Sequence, residues 1–364
     1  MNPNTRSLHQ LGQRIWLDNI TREMVGNGTL ARYIAELSVT GLTSNPTIFE
    51  HAIGAGAQYD ATIRELTEEG VPTEEIFFAL ALQDLTAAAD LFRPIHDASA
   101  GVDGWVSLEV SPMLANDAPG TVQSAARLHA RAQRPNLFIK IPGTRAGLVA
   151  IEESIFKGIP INVTLLFSAE QYLEAAHAYL RGIERRLAAG LDPRIESVAS
   201  LFVSRWDAAI REEVSSQYHN RLGLAVSMRA YRKYRELLDS ERWRKLAAAG
   251  ARPQRLLWAS TGTKDPAAPD TLYIEALAAP QTINTMPEKT LLAFADHGKL
   301  DGPLPADGGY AEVLLEEFRR EGVDIEALAA TLQQQGAEAF VASWSALLSK
   351  IRIKGAPAAQ EPKA

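Results

Sequence analysis

The fold class the residues predict is α/β: a parallel (β/α)8 barrel of the TIM type with additional helices, including a C-terminal covering helix. Three observations carry this. Eight short apolar or β-branched runs alternate with longer helical patterns, the signature of successive βα units. Several of the runs end in a polar group, where barrel strands present reactive side chains. The chain has 364 residues, and a barrel of ~250 leaves about 110 for extra helices.

The elements follow in order. Strands are expected at residues 14–20, 41–44, 104–110, 137–141, 161–167, 198–204, 255–260 and 281–286. Helical periodicity fills 74–95, 120–132, 145–156, 168–189 and 205–249, and returns at 323–352. The double helical stretch and the C-terminal helix absorb most of the surplus length. A doubly wound open sheet is the rival architecture, but it usually has fewer strands. No internal repeat or low-complexity linker divides the chain, so residues 1–353 are expected to form one barrel domain with helical insertions. The tail 354–364, rich in Ala and Pro, is expected to be disordered.

Composition narrows the function classes. Hydrophobic content of 46% and charged content of 22% are those of an ordinary globular protein. A net charge of −7 argues against a nucleic-acid partner, which needs a basic surface. No cysteine is present, which excludes disulfides, thiolate metal sites and cysteine nucleophiles. The seven histidines are scattered without metal-ligand spacing. The first ten residues are polar and unlike a signal peptide, and the apolar run 76–82 is too short for a membrane span. A cytoplasmic protein is expected, with no metal and no cofactor, as a monomer or small homo-oligomer.

One lysine carries the most information. In Asn136-Leu137-Phe138-Ile139-Lys140-Ile141-Pro142, bounded by Pro135 and Pro142, Lys140 shares a strand face with Phe138. An amine at the end of a buried strand is hard to explain by packing and easy to explain by Schiff-base chemistry. Glu109 lies inside the preceding apolar strand and would be Lys140's partner, as a structural ion pair or as an acid/base. Asp18 closes the first strand and fits a helix cap as well as a reactive group. Asn45 before Pro46 has the form of a helix cap. Asn162 and Thr164 share a face of the fifth strand and can hold a water or a substrate hydroxyl. Ser200 to Arg205 and Ser260 to Lys264 end two late strands with hydroxyls followed by a cation, where many barrels bind phosphate. There is no P-loop and no His-Glu-x-x-His, and Gly54-Ala55-Gly56 lacks the strand and third glycine of a dinucleotide motif.

Taken together, these segments resemble the transaldolases. Trp16-Leu17-Asp18, Leu42-Thr43-Ser44-Asn45-Pro46-Thr47, Val106 to Val110, Phe138 to Pro142, Asn162 to Phe167 and Ser200 to Arg205 match in order across most of the chain. The Thr-Ser-Asn-Pro and Ile-Lys-Ile-Pro segments are highly specific, and the length resembles the longer bacterial branch. The resemblance implies Lys140 as Schiff-base nucleophile, with Glu109 and Thr164 holding a catalytic water. It implies Asp18 as acid/base at the C4 hydroxyl, and Asn45 and Asn162 orienting the bound three-carbon unit. Ser200, Arg205 and Ser260 would hold hydroxyls and phosphate. The implied reaction moves a dihydroxyacetone unit from sedoheptulose 7-phosphate to glyceraldehyde 3-phosphate, giving erythrose 4-phosphate and fructose 6-phosphate. These sugar phosphates are its only expected partners. One departure stands out: where many relatives have an arginine after the strand-7 serine, this chain has Gly262, so Lys264 is expected to serve instead.

Three alternatives are distinguishable. A fructose 6-phosphate aldolase would release free dihydroxyacetone. A non-catalytic sugar-phosphate-binding barrel would form no adduct at Lys140. An open-sheet dehydrogenase would need the missing glycine fingerprint.

Overall fold

The computed structural model describes residues 1–356. Among them, eight parallel strands close into a barrel in sequential order. They are β1 Arg14–Leu17, β2 Val39–Leu42, β3 Trp105–Glu109, β4 Leu137–Pro142, β5 Ile161–Leu166, β6 Ser197–Phe202, β7 Arg255–Ala259 and β8 Ile283–Met286. β8 pairs with β1 to complete the ring. β2 to β8 are buried at every residue, because helices cover the outside and side chains fill the inside; this is why the runs read as nearly continuously apolar.

The barrel floor is aromatic. Trp16 and Trp105 both register with Gly41 on β2. A Cβ at Gly41 would lie 2.6 Å from the Trp105 carbonyl and 2.7 Å from the Trp16 ring, so only glycine leaves room. Phe138 stacks on Trp105 with centroids 4.1 Å apart. The Trp16 indole N–H is satisfied by Asp103 at 3.1 Å, as a buried donor must be. Side chains alternate in and out along a strand. Two residues beyond Trp16 comes Asp18, beyond Gly41 comes Thr43, and beyond Phe138 comes Lys140. The polar layer is thus fixed directly above a dry base.

Short polar residues start the helices that follow the strands. Asn45, Asp117, Thr144 and Ser168 each accept a hydrogen bond from the first turn of the next helix, with a proline at the start of the first two, in keeping with cap preferences. The 145–156 helix has the expected bounds.

Other boundaries differ from expectation. β1 ends at Leu17 and β2 at Leu42, so Asp18, Thr43 and Ser44 lie just beyond the strands. The ladder still holds them, through Asp18 N–H to Met286 O and Thr43 N–H to Leu17 O, each 2.8 Å. Ser204 opens a helix rather than ending β6. The 205–249 pattern divides into Ser204–Ile210, a 3-10 turn Ser216–Tyr218, Leu222–Leu238 and Glu241–Ala248. Ser240 caps the last of these, and Asn220 takes a left-handed φ of 60° at an earlier break. An N-terminal helix, Pro3–Leu11, was not anticipated; Asn2 caps it.

The expected C-terminal helix is present as Ile325–Gly355, lying over the carboxyl ends of the strands. Thr47 and Ser343 hydroxyls meet at 2.8 Å, Lys350 pairs with Glu50 at 2.7 Å, and Lys354 pairs with Asp60 at 2.6 Å. Lys354 and Gly355 therefore belong to this helix and not to the tail, since pairing and burial hold them. Ala356 caps the helix end, and the rest of the expected tail, 357–364, lies outside the described residues. Among the described residues no helix is long and apolar enough to cross a membrane.

Candidate active site

A cavity of about 520 Å³ opens at the carboxyl ends of the strands. Of the residues singled out from sequence, Asp18, Asn45, Lys140, Thr164, Ser200, Arg205, Ser260 and Lys264 line it. Glu109 and Asn162 do not line it; they stand beside Lys140 on the flanking strands, in direct register with it.

Lys140 and Glu109 are 5% and 6% exposed. Lys140 Nζ lies 3.4 Å from Glu109 Oε2 and donates to the Ser44 carbonyl at 3.2 Å. Glu109 Oε2 has no aligned hydrogen bond among the described residues. Burial raises the Glu109 pKa above the usual carboxyl range, against the pull of the Lys140 ammonium. Phe340 of the terminal helix lies over the amine, its ring centroid 5.8 Å from Nζ.

Asp18 is also pushed upward by burial, opposed by Lys140, by a hydrogen bond from Thr43 and by Lys264. Thr43 donates to Asp18 at 2.8 Å, so it accepts from Thr285 across their 2.7 Å contact. The helix-cap role is taken by Thr21, whose hydroxyl accepts from Met24 N–H at 3.0 Å. Asp18 is thereby left to the cavity. Asn45 does both things the sequence allowed: its Oδ1 caps Ile48 at 3.0 Å while the residue lines the cavity.

Asn162 is fully buried and clasped. Its Nδ2 donates to Ser107 at 3.1 Å, and its Oδ1 accepts from Ser200 at 2.7 Å. Thr164, two residues on, is buried with its hydroxyl unpartnered among the described residues. Arg205 packs beside the Phe202 ring at 5.3 Å. Neither it nor Lys264 has an ion-pair partner among the described residues, although both line the cavity; burial alone lowers the Arg205 pKa. Ser260 holds a left-handed φ of 56° and shares a hydrogen bond with Ser204 at 2.9 Å. Among the described residues no group of three His, Asp or Glu is placed to hold a metal.

Sequence reasoning missed Thr43, His51, Thr285 and the face of Phe340. His51 was findable: Thr47, His51 and Ala55 are spaced by four on a helix that opens at Pro46, so they share the cavity side. Thr285 carried no local signal, because it is one β-branched residue in a strand.

Comparison with known proteins fits this geometry. The family model described as Transaldolase/Fructose-6-phosphate aldolase matches residues 15–351. A transaldolase from Parafrankia sp. (strain EAN1pec) is 45% identical over 95% of this chain and 96% of its own. One from Renibacterium salmoninarum is 44% identical over 97% and 96%, and one from Thiobacillus denitrificans 44% over 95% and 99%.

Proposed function

The chain belongs to the family of transaldolases and fructose-6-phosphate aldolases, and from that membership we propose that it is a transaldolase. It transfers a dihydroxyacetone unit from sedoheptulose 7-phosphate to glyceraldehyde 3-phosphate in the non-oxidative pentose phosphate pathway. The observation that carries the reading is the buried Lys140 amine, 3.4 Å from a buried carboxyl, in a cavity that Arg205 and Lys264 also line.

The chemistry follows from the groups present. Lys140 Nζ adds, uncharged, to the donor's C2 ketone. Before the addition Glu109 takes a proton from the Lys140 ammonium, and afterwards a water held with Thr164 relays that proton and one from Nζ to the departing C2 oxygen. Water leaves and the protonated imine remains. Asp18 accepts the C4 hydroxyl proton, the C3–C4 bond breaks, and its electron pair flows into the imine as an enamine. The aldose departs. The acceptor's aldehyde carbon bonds to C3, Asp18 returns its proton to the new C4 oxygen, and hydrolysis frees the ketose. Asn45, Asn162, Ser200 and Ser260 orient hydroxyls, directly or through one another. Arg205 and Lys264 receive phosphate. Lys264 is a point charge and not a planar fork, and its position on the cavity wall supports its serving where Gly262 cannot.

Transfer is favoured over simple aldol cleavage because the near-full-length relatives above are transaldolases and because Glu109 stands beside the amine. We also read the barrel with its helical insertions, through the terminal helix at Gly355, as one domain, working in the cytoplasm as a monomer or small homo-oligomer. The test is borohydride trapping with fructose 6-phosphate, read by peptide mass. A three-carbon adduct on Lys140 is expected. Its absence, with phosphosugar binding retained, leaves a binding module. Free dihydroxyacetone released at the turnover rate without acceptor makes the protein an aldolase.

A further inference from the structure

β5 carries an extra residue. Between Val163 and Leu166 it advances three positions while β6 advances two, from Ala199 to Leu201. Leu165 sits in the bulge with a φ of 58°, a conformation that side chains other than glycine rarely adopt. It directly follows Thr164, so the direction of the Thr164 hydroxyl depends on how this bulge is held.

The holder comes from the far end of the chain. Gln333 Nε2, on the terminal helix, donates to the Leu165 carbonyl at 2.9 Å and to the Gly143 carbonyl at 3.1 Å. Both hydrogens of one amide nitrogen are thereby used to tie the end of β5 to the segment after β4. Gly143 N–H in turn donates to the Thr164 carbonyl at 2.7 Å, closing a ring of contacts around Thr164. One turn along, Gly336 admits the Leu165 side chain: a Cβ there would lie 2.9 Å from Leu165 Cδ2. Gln333 does not line the cavity of about 520 Å³.

We propose that Gln333 is a positioning residue: by clamping the Leu165 bulge to the Gly143 carbonyl it aims the unpartnered Thr164 hydroxyl toward the Glu109 and Lys140 pair. The inference rests on the Schiff-base reading above. Its consequence is that the proton transfers of imine formation are sensitive to a side chain that never meets substrate, whereas phosphate binding is not.

The experiment is a double-mutant cycle on the rate of trapped adduct formation with fructose 6-phosphate, using Gln333→Leu, Thr164→Val and the pair. Each single variant is expected to slow adduct formation about tenfold with KM within twofold of wild type. The pair is expected to be no slower than Thr164→Val alone, because residues acting as one unit are non-additive. A hundredfold loss in the pair overturns the proposal, as does a wild-type rate in Gln333→Leu. Lys350→Met, which loosens the same helix at Glu50, controls for general destabilisation. It is expected to lower the melting temperature and leave the adduct rate alone. If both helix variants slow the rate in proportion to lost stability, Gln333 is only structural. Should the leucine variant not fold, Gln333→Glu keeps the side-chain shape, loses the paired N–H donors and is expected to show the same selective slowing. A wild-type enzyme giving no adduct refutes the Schiff-base reading instead.

Discussion

Replacing Arg205 by methionine should do two opposite things. The guanidinium lies beside the Phe202 ring with no carboxylate of the described residues within reach, and Gly336 of the terminal helix lets it sit against that helix. Arg205→Met keeps the apolar stem and removes a half-buried charge that nothing in the free protein compensates. An uncompensated polar group costs about 1–3 kcal/mol. Partial solvation puts the present case at the low end, so the free variant should be more stable by about 1 kcal/mol. For a chain of this length that is roughly 1 °C in Tm. With phosphate the sign reverses. A charge-assisted hydrogen bond contributes about 1.5–3 kcal/mol, and losing a two-pronged contact worth about 3 kcal/mol lowers kcat/KM roughly a hundredfold. The assays are thermal melts with and without inorganic phosphate, and kcat/KM for fructose 6-phosphate against fructose. Phosphate should raise the wild-type Tm and leave the variant's nearly unmoved. A variant that melts earlier than wild type in phosphate-free buffer, or that loses phosphorylated and unphosphorylated donors equally, refutes the reasoning.

Other perturbations have defined signs. Glu109→Gln should still form the Lys140 adduct but at least tenfold more slowly, and an unchanged trapping rate excludes proton transfer by Glu109. Lys264→Ala should raise KM for phosphorylated donors more than it lowers kcat; a pure kcat effect would remove it from the phosphate site. Ending the chain after Phe340 should cut turnover, because both ion pairs and the packing of Trp344, Leu347 and Ile351 that hold the cover in place are lost together, and full turnover in the truncated enzyme would show that the cover is dispensable. Asp207 accepts from Tyr273 at 2.6 Å and Gly223 N–H at 3.2 Å, and burial pushes its pKa up to about 6. The folded state therefore holds this proton more tightly than the unfolded state, so its contribution is intact below about pH 4 and is lost as pH rises through 6. Relative to wild type, Asp207→Asn should gain up to about 3 kcal/mol between pH 4 and pH 7, and a pH-independent difference in denaturant midpoints would contradict this.

Periodicity and strand chemistry made the barrel legible, because a strand buried on both faces leaves a short apolar run that neither a surface helix nor a half-exposed strand would produce. The run around Lys140 shows why the site was legible too: a lysine on the Phe138 face can only point inward. What was not legible depended on contacts between distant residues. Nothing near Thr285 announces that it meets Thr43, 242 positions away in sequence. The break at Asn220 follows from a left-handed backbone that helical periodicity cannot register. The bulge at Leu165 was invisible for the same reason, since Leu is a common strand residue and its φ is set by tertiary clamping. The reading of Asp18 as a cap failed on competition: Thr21 stands nearer the helix and takes the bond.

The division of polar groups around the cavity separates scaffold from working chemistry. Ser107, Asn162 and Ser200 bond one another in a chain across β3, β5 and β6, and Thr43 and Thr285 do so across β2 and β8. These groups are satisfied before substrate arrives, so their geometry is fixed by folding. The Thr164 hydroxyl is buried and unpartnered within the described residues, Arg205 is half-buried with only desolvation acting on it, and Lys264 is exposed where it lines the cavity. Buried polar groups without partners destabilise a fold. Such groups persist when a ligand supplies what the protein withholds, which on the proposed function would be hydroxyls and a phosphate. The carboxyls fit the same logic. Burial that would penalise Asp18 and Glu109 as idle ions raises their pKa values against the opposing charge of Lys140, and the proposed mechanism has each accept and return a proton in one turnover. The strain of the free site and its chemical competence therefore have a common origin in the dry aromatic floor beneath it and the helix that closes it from above.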